Sequence, residues 1–249
     1  MRGPDRRTAV AAGVLFLLTE VAAIAGAVLY RPLLGAAEGR LAPGADTRAL
    51  LGALCELVLV AAVTGTGAAL FPVLRRRGEG MALGYVCGRL LEAALIAVGI
   101  VAVLGLVTLR RESAGAAGGA ADAALVAVHD WTFLLGPNIA LGANTVLLAW
   151  LAYRARLVPR PLALLGLIGG PLICASAVAV MFGLYAQLSV PGSLAALPVF
   201  AWELGFAGWL IARGFGPHGP SAADGRRGDR AGHAGSAVRA GSIRPARAS

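Results

Sequence analysis

Apolar residues run almost unbroken through six long stretches of the chain, separated by short polar interruptions rich in arginine, proline and glycine. A helix rising 1.5 Å per residue needs about 20 apolar residues to cross about 30 Å of hydrocarbon. The pattern therefore predicts six helices, over approximately 8–30, 49–74, 81–109, 123–153, 161–187 and 194–215. Pro32, Pro43, Gly78, Gly80, Pro159, Pro161, Pro191 and Gly192 punctuate their ends. The runs are continuous and lack the two-residue alternation of lipid-facing strands, which excludes a transmembrane barrel. The expected fold is all-α: a polytopic helical bundle over 1–215, followed by a tail over 216–249.

The tail consists largely of glycine, alanine, arginine and serine, a composition that buries too little apolar surface to fold, so it is expected to be disordered. Its arginines, Arg226, Arg227, Arg230, Arg239, Arg244 and Arg247, would meet anionic lipid only as a secondary role. At the other end, Arg2, Arg6 and Arg7 precede an apolar core containing Ala23, Ala25 and Ala27, which also fits a cleaved leader. The apolar stretch is longer than the core of about 7 to 15 residues such leaders carry, and Glu20 interrupts it, so a retained helix is expected.

Composition agrees with the pattern. Of 249 residues 58% are hydrophobic and 14% charged, against about 25% charged in soluble domains, and the mean hydropathy is +0.76. The lipid bilayer is thus the first partner. A net charge of +9 does not point to nucleic acid, because the arginines cluster at the ends of apolar runs and not on a soluble basic surface. The clusters Arg75, Arg76, Arg77 and Arg154, Arg156, Arg160, together with the N-terminal arginines and the tail, place both termini in the cytoplasm by the positive-inside rule. Arg31, Arg40, Arg48, Arg110 and Arg111 lie on the opposite side, diluted by acidic neighbours and longer loops. Tyr30 and Trp131 are expected at the outer surface, and Trp150, Tyr153 and Phe215 at the inner one. Cys55, Cys87 and Cys174 lie in apolar runs as small hydrophobes, implying neither a disulfide nor a metal motif.

Candidate chemistry resides in the charges that interrupt the apolar runs: Glu20, Glu56, Arg89, Glu92, Asp130 and Glu203. Each costs about 2.5–3.5 kcal/mol at the bilayer centre on insertion scales, so it persists by facing protein interior or a wet cavity. On the third helix, Gly80, Gly84, Gly88 and Glu92 recur at every fourth residue, a groove for a neighbouring helix that ends on a carboxylate. Arg89 stands three residues before Glu92 and could form an isolated pair with it. No other strong base lies at depth, however, so a shared network with Glu20, Glu56 and Glu203 is the preferred reading. On the fourth helix, Asp130, Asn138, Asn144 and Thr145 fall on one side, and Pro137 should free a carbonyl near Phe133. This stripe either lines an outward cavity or joins helices by hydrogen bonds. His129 beside Asp130 is the one histidine in the apolar runs, and adjacent helical residues point about 100° apart, so the pair is not automatically a dyad. Gly166 and Gly170 mark a close helix crossing.

The segments GRLLEAAL with Arg89 and Glu92, HDWTFLLGPN with His129 and Asp130, LVPRPLALLGLIGG, and WELGFAGWLIARG with Glu203 and Trp209 resemble the bacterial membrane family catalogued as domain of unknown function 4386. The resemblance covers roughly residues 8 to 215. It implies the six-helix fold, a bacterial plasma membrane, and weight on Arg89, Glu92, Asp130 and Glu203. It implies no reaction.

No cofactor is expected, since a haem held by two histidines would find only His129. HExxH, P-loop and GxSxG are absent, which leaves metalloprotease, nucleotide-driven and hydrolase readings without support. The residues therefore point to binding or transport of a small ligand or ion at the Arg/Glu cluster, with acids outnumbering cations as in proton relays. The alternative is a structural or interaction protein whose buried charges only fix packing. An intramembrane enzyme using paired acids ranks third, and nothing in the sequence specifies an oligomeric state.

Overall fold

The computed structural model describes residues 4–35, 44–112 and 119–215. Arg2, Arg40, Pro43 and the whole of the tail over 216–249 lie outside them. Every regular element among the described residues is helical: α1 (Pro4–Leu34), α2 (Ala45–Leu74), α3 (Glu79–Glu112), α4 (Ala120–Leu134), a π-helical segment (Leu135–Ala140), α5 (Leu141–Ala155), α6 (Arg160–Met181) and α7 (Val190–Ala212). With α4, the π segment and α5 forming one continuous span, six helices are long and apolar enough to cross a membrane. This is a multi-pass membrane protein.

Successive spans pack as neighbours, and α1 closes the bundle against α7. One end, the terminal end, carries the start of α1 and the finish of α7, tied by a hydrogen bond from Arg6 Nη1 to the Leu210 carbonyl of 3.1 Å. Here α1 and α7 pack tightly: a Cβ added at Gly13 would lie 2.8 Å from the Ala207 carbonyl oxygen, and Phe16 meets the Phe206 ring edge-on at 5.4 Å. Arginines at this end stack on aromatic rings, Arg154 on Trp150, Arg160 on Tyr153 and Arg213 on Trp209, which suits a headgroup region where cations and ring faces pair.

At the far end, Arg110 is buried. Its Nε donates to Asp122 at 2.8 Å and its Nη1 to the Leu33 carbonyl at 2.9 Å, so one side chain ties α3 to α4 and caps the last turn of α1. Arg111 donates to Asp46 at 3.0 Å. These arginines are held by acids on neighbouring helices, which is why they weigh little in a count of loop charge. Arg110→Met should cost about 2 kcal/mol, the worth of hydrogen bonds to charged groups, and hydrogen exchange at 31–34 should quicken while that at the terminal end stays unchanged.

Three expectations are corrected. The fifth span ends at Met181, not near Gln187, because Phe182 to Ser189 form turns with Gly183 in the left-handed region (φ 73°). Tyr30 and Phe215, expected at the membrane surfaces, are buried, whereas Trp131 and Trp150 are exposed as an aromatic belt requires. The glycine stripe of α3 makes close contact only at Gly88, where a Cβ would overlap the Asn144 side-chain oxygen. Gly84 has nothing nearer than Leu147 at 3.8 Å, and Gly80 has nothing within 4 Å.

Candidate functional site

Arg89 is the centre of the buried polar network. It is 2% exposed, and each arm of its guanidinium is directed. Nε donates to the Tyr85 hydroxyl at 3.1 Å, one turn back on the same helix. Nη1 donates to Glu92, at 3.3 Å to Oε1 and 3.1 Å to Oε2. Nη2 donates to Glu203 Oε1 on α7 at 3.1 Å. The cation also lies over the Phe16 ring at 5.2 Å and the Tyr85 ring at 5.5 Å. Asn144 of α5 donates to Glu92 Oε2 at 3.0 Å. Glu20 of α1 completes the group from a half-buried position, lining the same cavity as Arg89, Glu92 and Glu203. The network therefore joins α1, α3, α5 and α7, and an arginine serves it where a lysine could not, because only the planar fork addresses several acceptors in different directions.

Glycines make the room. Gly88 leaves space for Asn144 to reach across from α5. Gly26 of α1 admits Glu56, whose Cγ would lie 2.9 Å from an added Cβ, and Gly52 of α2 admits the Tyr30 ring at 2.6 Å. The same crossing thus seats Tyr30 against Glu56, and the Tyr30 hydroxyl donates to Glu56 Oε2 at 3.0 Å. His129 packs edge-on to Tyr30 at 5.6 Å and parallel to Phe133 at 6.2 Å. Its Nδ1 lies 3.3 Å from Asp130, whose side chain is 66% exposed. The network and the Glu56 group are separate: Glu56 sits opposite Gly26, six residues along α1 from Glu20, or about 9 Å toward the far end.

Between them is a cavity of about 320 Å³, with Glu20, Glu56, Arg89, Glu92 and Glu203 among its lining residues. Its remaining wall is largely apolar, including Ile24, Ile96, Phe133, Ile173, Val199 and Phe200. A second hollow of about 620 Å³ lies at the far end, bordered by Arg31, Leu34, Asp130 and Trp131. The two meet at Glu56, His129, Phe133 and Gln187, which line both. Toward the terminal end, Phe16, Tyr85, Trp202 and Phe206, all 0% exposed, fill the bundle beneath Arg89. The cavity is therefore reached from the far end and blind at the other.

The π-helical segment decides which residues of the fourth span reach this cavity. Pro137 has no N–H to give the Phe133 carbonyl, which instead accepts from Asn138 Nδ2 at 3.2 Å and Gln187 Nε2 at 3.3 Å. A π-bulge adds one residue to the turn and so rotates the helix beyond it by about 100°. The polar stripe expected along Asp130, Asn138, Asn144 and Thr145 is thereby split. Asp130 stays on the rim, Asn138 lines the cavity, and Asn144 joins Glu92. The Thr145 hydroxyl is buried with no partner among the described residues.

The sequence model of one protein family, described as Domain of unknown function (DUF4386), matches residues 11–214. The chain belongs to the DUF4386 family. No curated protein and no solved structure matches it. The matched span takes in every residue of the cluster and of the two cavities. Within this DUF4386 chain the structure brings Glu20, Arg89, Glu92, Glu203 and Asn144 into one group. Glu56, His129 and Asn138 lie at the outer part of the same cavity, and Asp130 on its rim. Sequence reasoning missed Tyr85, Tyr30, Phe16 and Gln187. Tyr85 was legible, since it stands four residues before Arg89 on one helix face; the others are contacts between spans with no sequence signal.

Proposed function

We infer that this protein binds a small ligand or ion in the cavity above Arg89, and that protons move with it. The observation carrying this reading is the cavity itself, which reaches a four-helix charged network from one end of the bundle. Two carboxyl groups, Glu92 and Glu203, share the Arg89 guanidinium, and a third, Glu20, lines the same cavity without bonding it, so acids outnumber the cation. Glu20, the acid of the three that Arg89 does not bond, is thus the natural station for a carried proton. Because Glu20 on α1 and Glu203 on α7 line the same cavity, a change in the charge of Glu20 would alter how these helices meet, which couples protonation to movement.

The membrane is proposed to be the bacterial plasma membrane with both termini cytoplasmic, so that the cavity faces outward. Arg75, Arg76, Arg77, Arg154, Arg156 and Arg160 at the terminal end support this orientation, as does the neutralisation of Arg110 and Arg111 at the far end.

A second reading rests on a different observation. Arg89 directs Nε, Nη1 and Nη2 at protein acceptors, as a purely structural tie between helices would. A thermal-shift screen of small ligands on purified protein separates the two, since a ligand at 100 times its Kd stabilises the folded state by about 2.7 kcal/mol. At least one ligand should raise the melting temperature of the parent and fail to do so with Glu203→Gln. Glu92→Gln and Glu203→Gln variants that insert, fold and keep every ligand response of the parent would leave only the structural role.

A further inference from the structure

We propose that the cavity takes a hydrophobic organic cation, an ammonium on an apolar or aromatic body, with Glu56 and Glu20 as its counter-charges; this rests on the reading of the cavity as a binding site. The hydrogen-bonding capacity left facing the cavity decides the charge. Arg89, the one arginine among the lining residues, already directs its nitrogens at Tyr85, Glu92 and Glu203, and the other basic side chain there, His129, has its Nδ1 turned to Asp130. Glu56 is 7% exposed, yet only its Oε2 accepts a hydrogen bond, and Oε1 has no partner among the described residues. Glu20 accepts no bond from an N–H among the described residues. What the cavity offers is therefore carboxyl oxygen in want of a partner, which an ammonium meets as a donor and an anion does not.

An inorganic cation fits this chemistry less well. Among the described residues no group of three His, Cys, Asp or Glu side chains converges as a metal site, and Ca²⁺, for example, takes 6–8 oxygen ligands. The apolar wall, which would give a desolvated metal ion nothing, instead suits a body of aromatic or aliphatic carbon. Phe133 and Phe200 line it, and at about 320 Å³ it lies at the small end of the range of about 300–1,000 Å³ for ligand pockets.

The route in has the same character. Close contacts between α1 and α7 fall near the terminal end, at Gly13 and Phe16, whereas between Ala23, Ile24 and Ala27 of α1 and Ser193, Ala196 and Phe200 of α7 the cavity intervenes. Ile24 and Phe200 are exposed there, and Phe182, Leu184, Leu188 and Val190, at the turn leading into α7, are each more than 70% exposed. A rim of that kind lies in lipid, so an amphiphilic cation can reach Glu56 from the bilayer with its apolar body leading.

The test uses the full chain in detergent and three isosteric probes: 3-phenylpropylammonium, 3-phenylpropanol and 3-phenylpropanoate. The ammonium should raise the melting temperature with a Kd at least 10-fold below that of the alcohol, and the propanoate should have no effect. Glu56→Gln keeps an acceptor for the Tyr30 hydroxyl and removes the charge; it should lose at least 10-fold in ammonium affinity while binding the alcohol unchanged. If Glu56→Gln fails to fold, Glu20→Gln serves as the second variant with the same expectation. Propanoate binding as tightly as the ammonium would overturn the cationic class and leave the binding cavity standing. Stabilisation by sodium chloride over choline chloride at equal ionic strength, with no effect of the ammonium, would assign an inorganic ion instead. If no probe binds and a cysteine at Ser193, in a background free of Cys55, Cys87 and Cys174, resists a water-soluble maleimide, both the class and the binding reading fall.

Discussion

Replacing Arg89 with methionine is expected to destabilise the bundle by about 3–5 kcal/mol, the cost of removing one partner from a buried ion pair. Methionine fills much of the space of the arginine stem, so lost packing contributes little. The cost arises because the Glu92 and Glu203 carboxyl groups, 4% and 5% exposed, lose the donors at 3.1 Å that satisfy them. A lysine should recover only part of this, because a single ammonium cannot address Tyr85, Glu92 and Glu203 at once. Arg89→Met combined with Glu92→Gln and Glu203→Gln should recover most of it, since the two acids that Arg89 bonds are then neutral and only the half-buried Glu20 remains. Thermal or denaturant unfolding in detergent measures the series. Equal loss in the single and the triple variant would show that packing, not uncompensated charge, sets the cost.

The second large effect is expected at Gly142. The α5–α6 crossing brings backbone against backbone there: an added Cβ would lie 2.8 Å from both the Gly170 carbonyl oxygen and Ile173 Cγ2, and 2.5 Å from Cys174 Sγ. Backbone cannot move aside as the tip of a side chain can, so Gly142→Val should separate the helices and cost about 1–3 kcal/mol or more. Because α5 carries Asn144 and α6 supplies Ile173 to the cavity wall, the ligand response should fall with stability. Gly84→Ala is the control. With nothing nearer than 3.8 Å, it should be neutral or gain up to about 1 kcal/mol from the lower entropy of the unfolded chain. A Gly142→Val protein as stable as the parent would mean that this crossing tolerates a wider spacing.

These two sites illustrate how differently parts of the molecule were legible. Arg89 and Glu92 stand three residues apart on one helix, so their pairing follows from helix geometry, and Glu203 follows as a second partner because a charge in lipid must find one. Gly88 and Gly142 look alike in sequence to Gly80 and Gly84, yet only the first two meet a neighbouring helix closely. Which helix lies opposite a given face is a property of the assembled bundle. Tyr30 shows the same limit: an aromatic residue at the end of an apolar run reads as an interfacial anchor, and only the crossing at Gly26 and Gly52 turns it inward onto Glu56. The fourth span was misread for a related reason. Pro137 signalled a freed carbonyl at Phe133, but a 3.6-residue period continued through the span placed Asp130 and Asn144 on one face, where the extra residue of the π segment separates them.

Sequence by itself determined the six spans, their approximate limits and the presence of charges that had to meet within the bilayer, because hydrocarbon thickness and the cost of a buried charge act on each segment independently of its neighbours. Tertiary structure alone decided that Glu20, Arg89, Glu92, Asn144 and Glu203 form one network, that Glu56 stands apart from it with an oxygen unmet, and that a cavity joins the two. Those outcomes depend on how helices rotate and cross, and rotation is set by packing between spans, where a single glycine or one inserted residue moves a polar group from lipid-facing to cavity-facing.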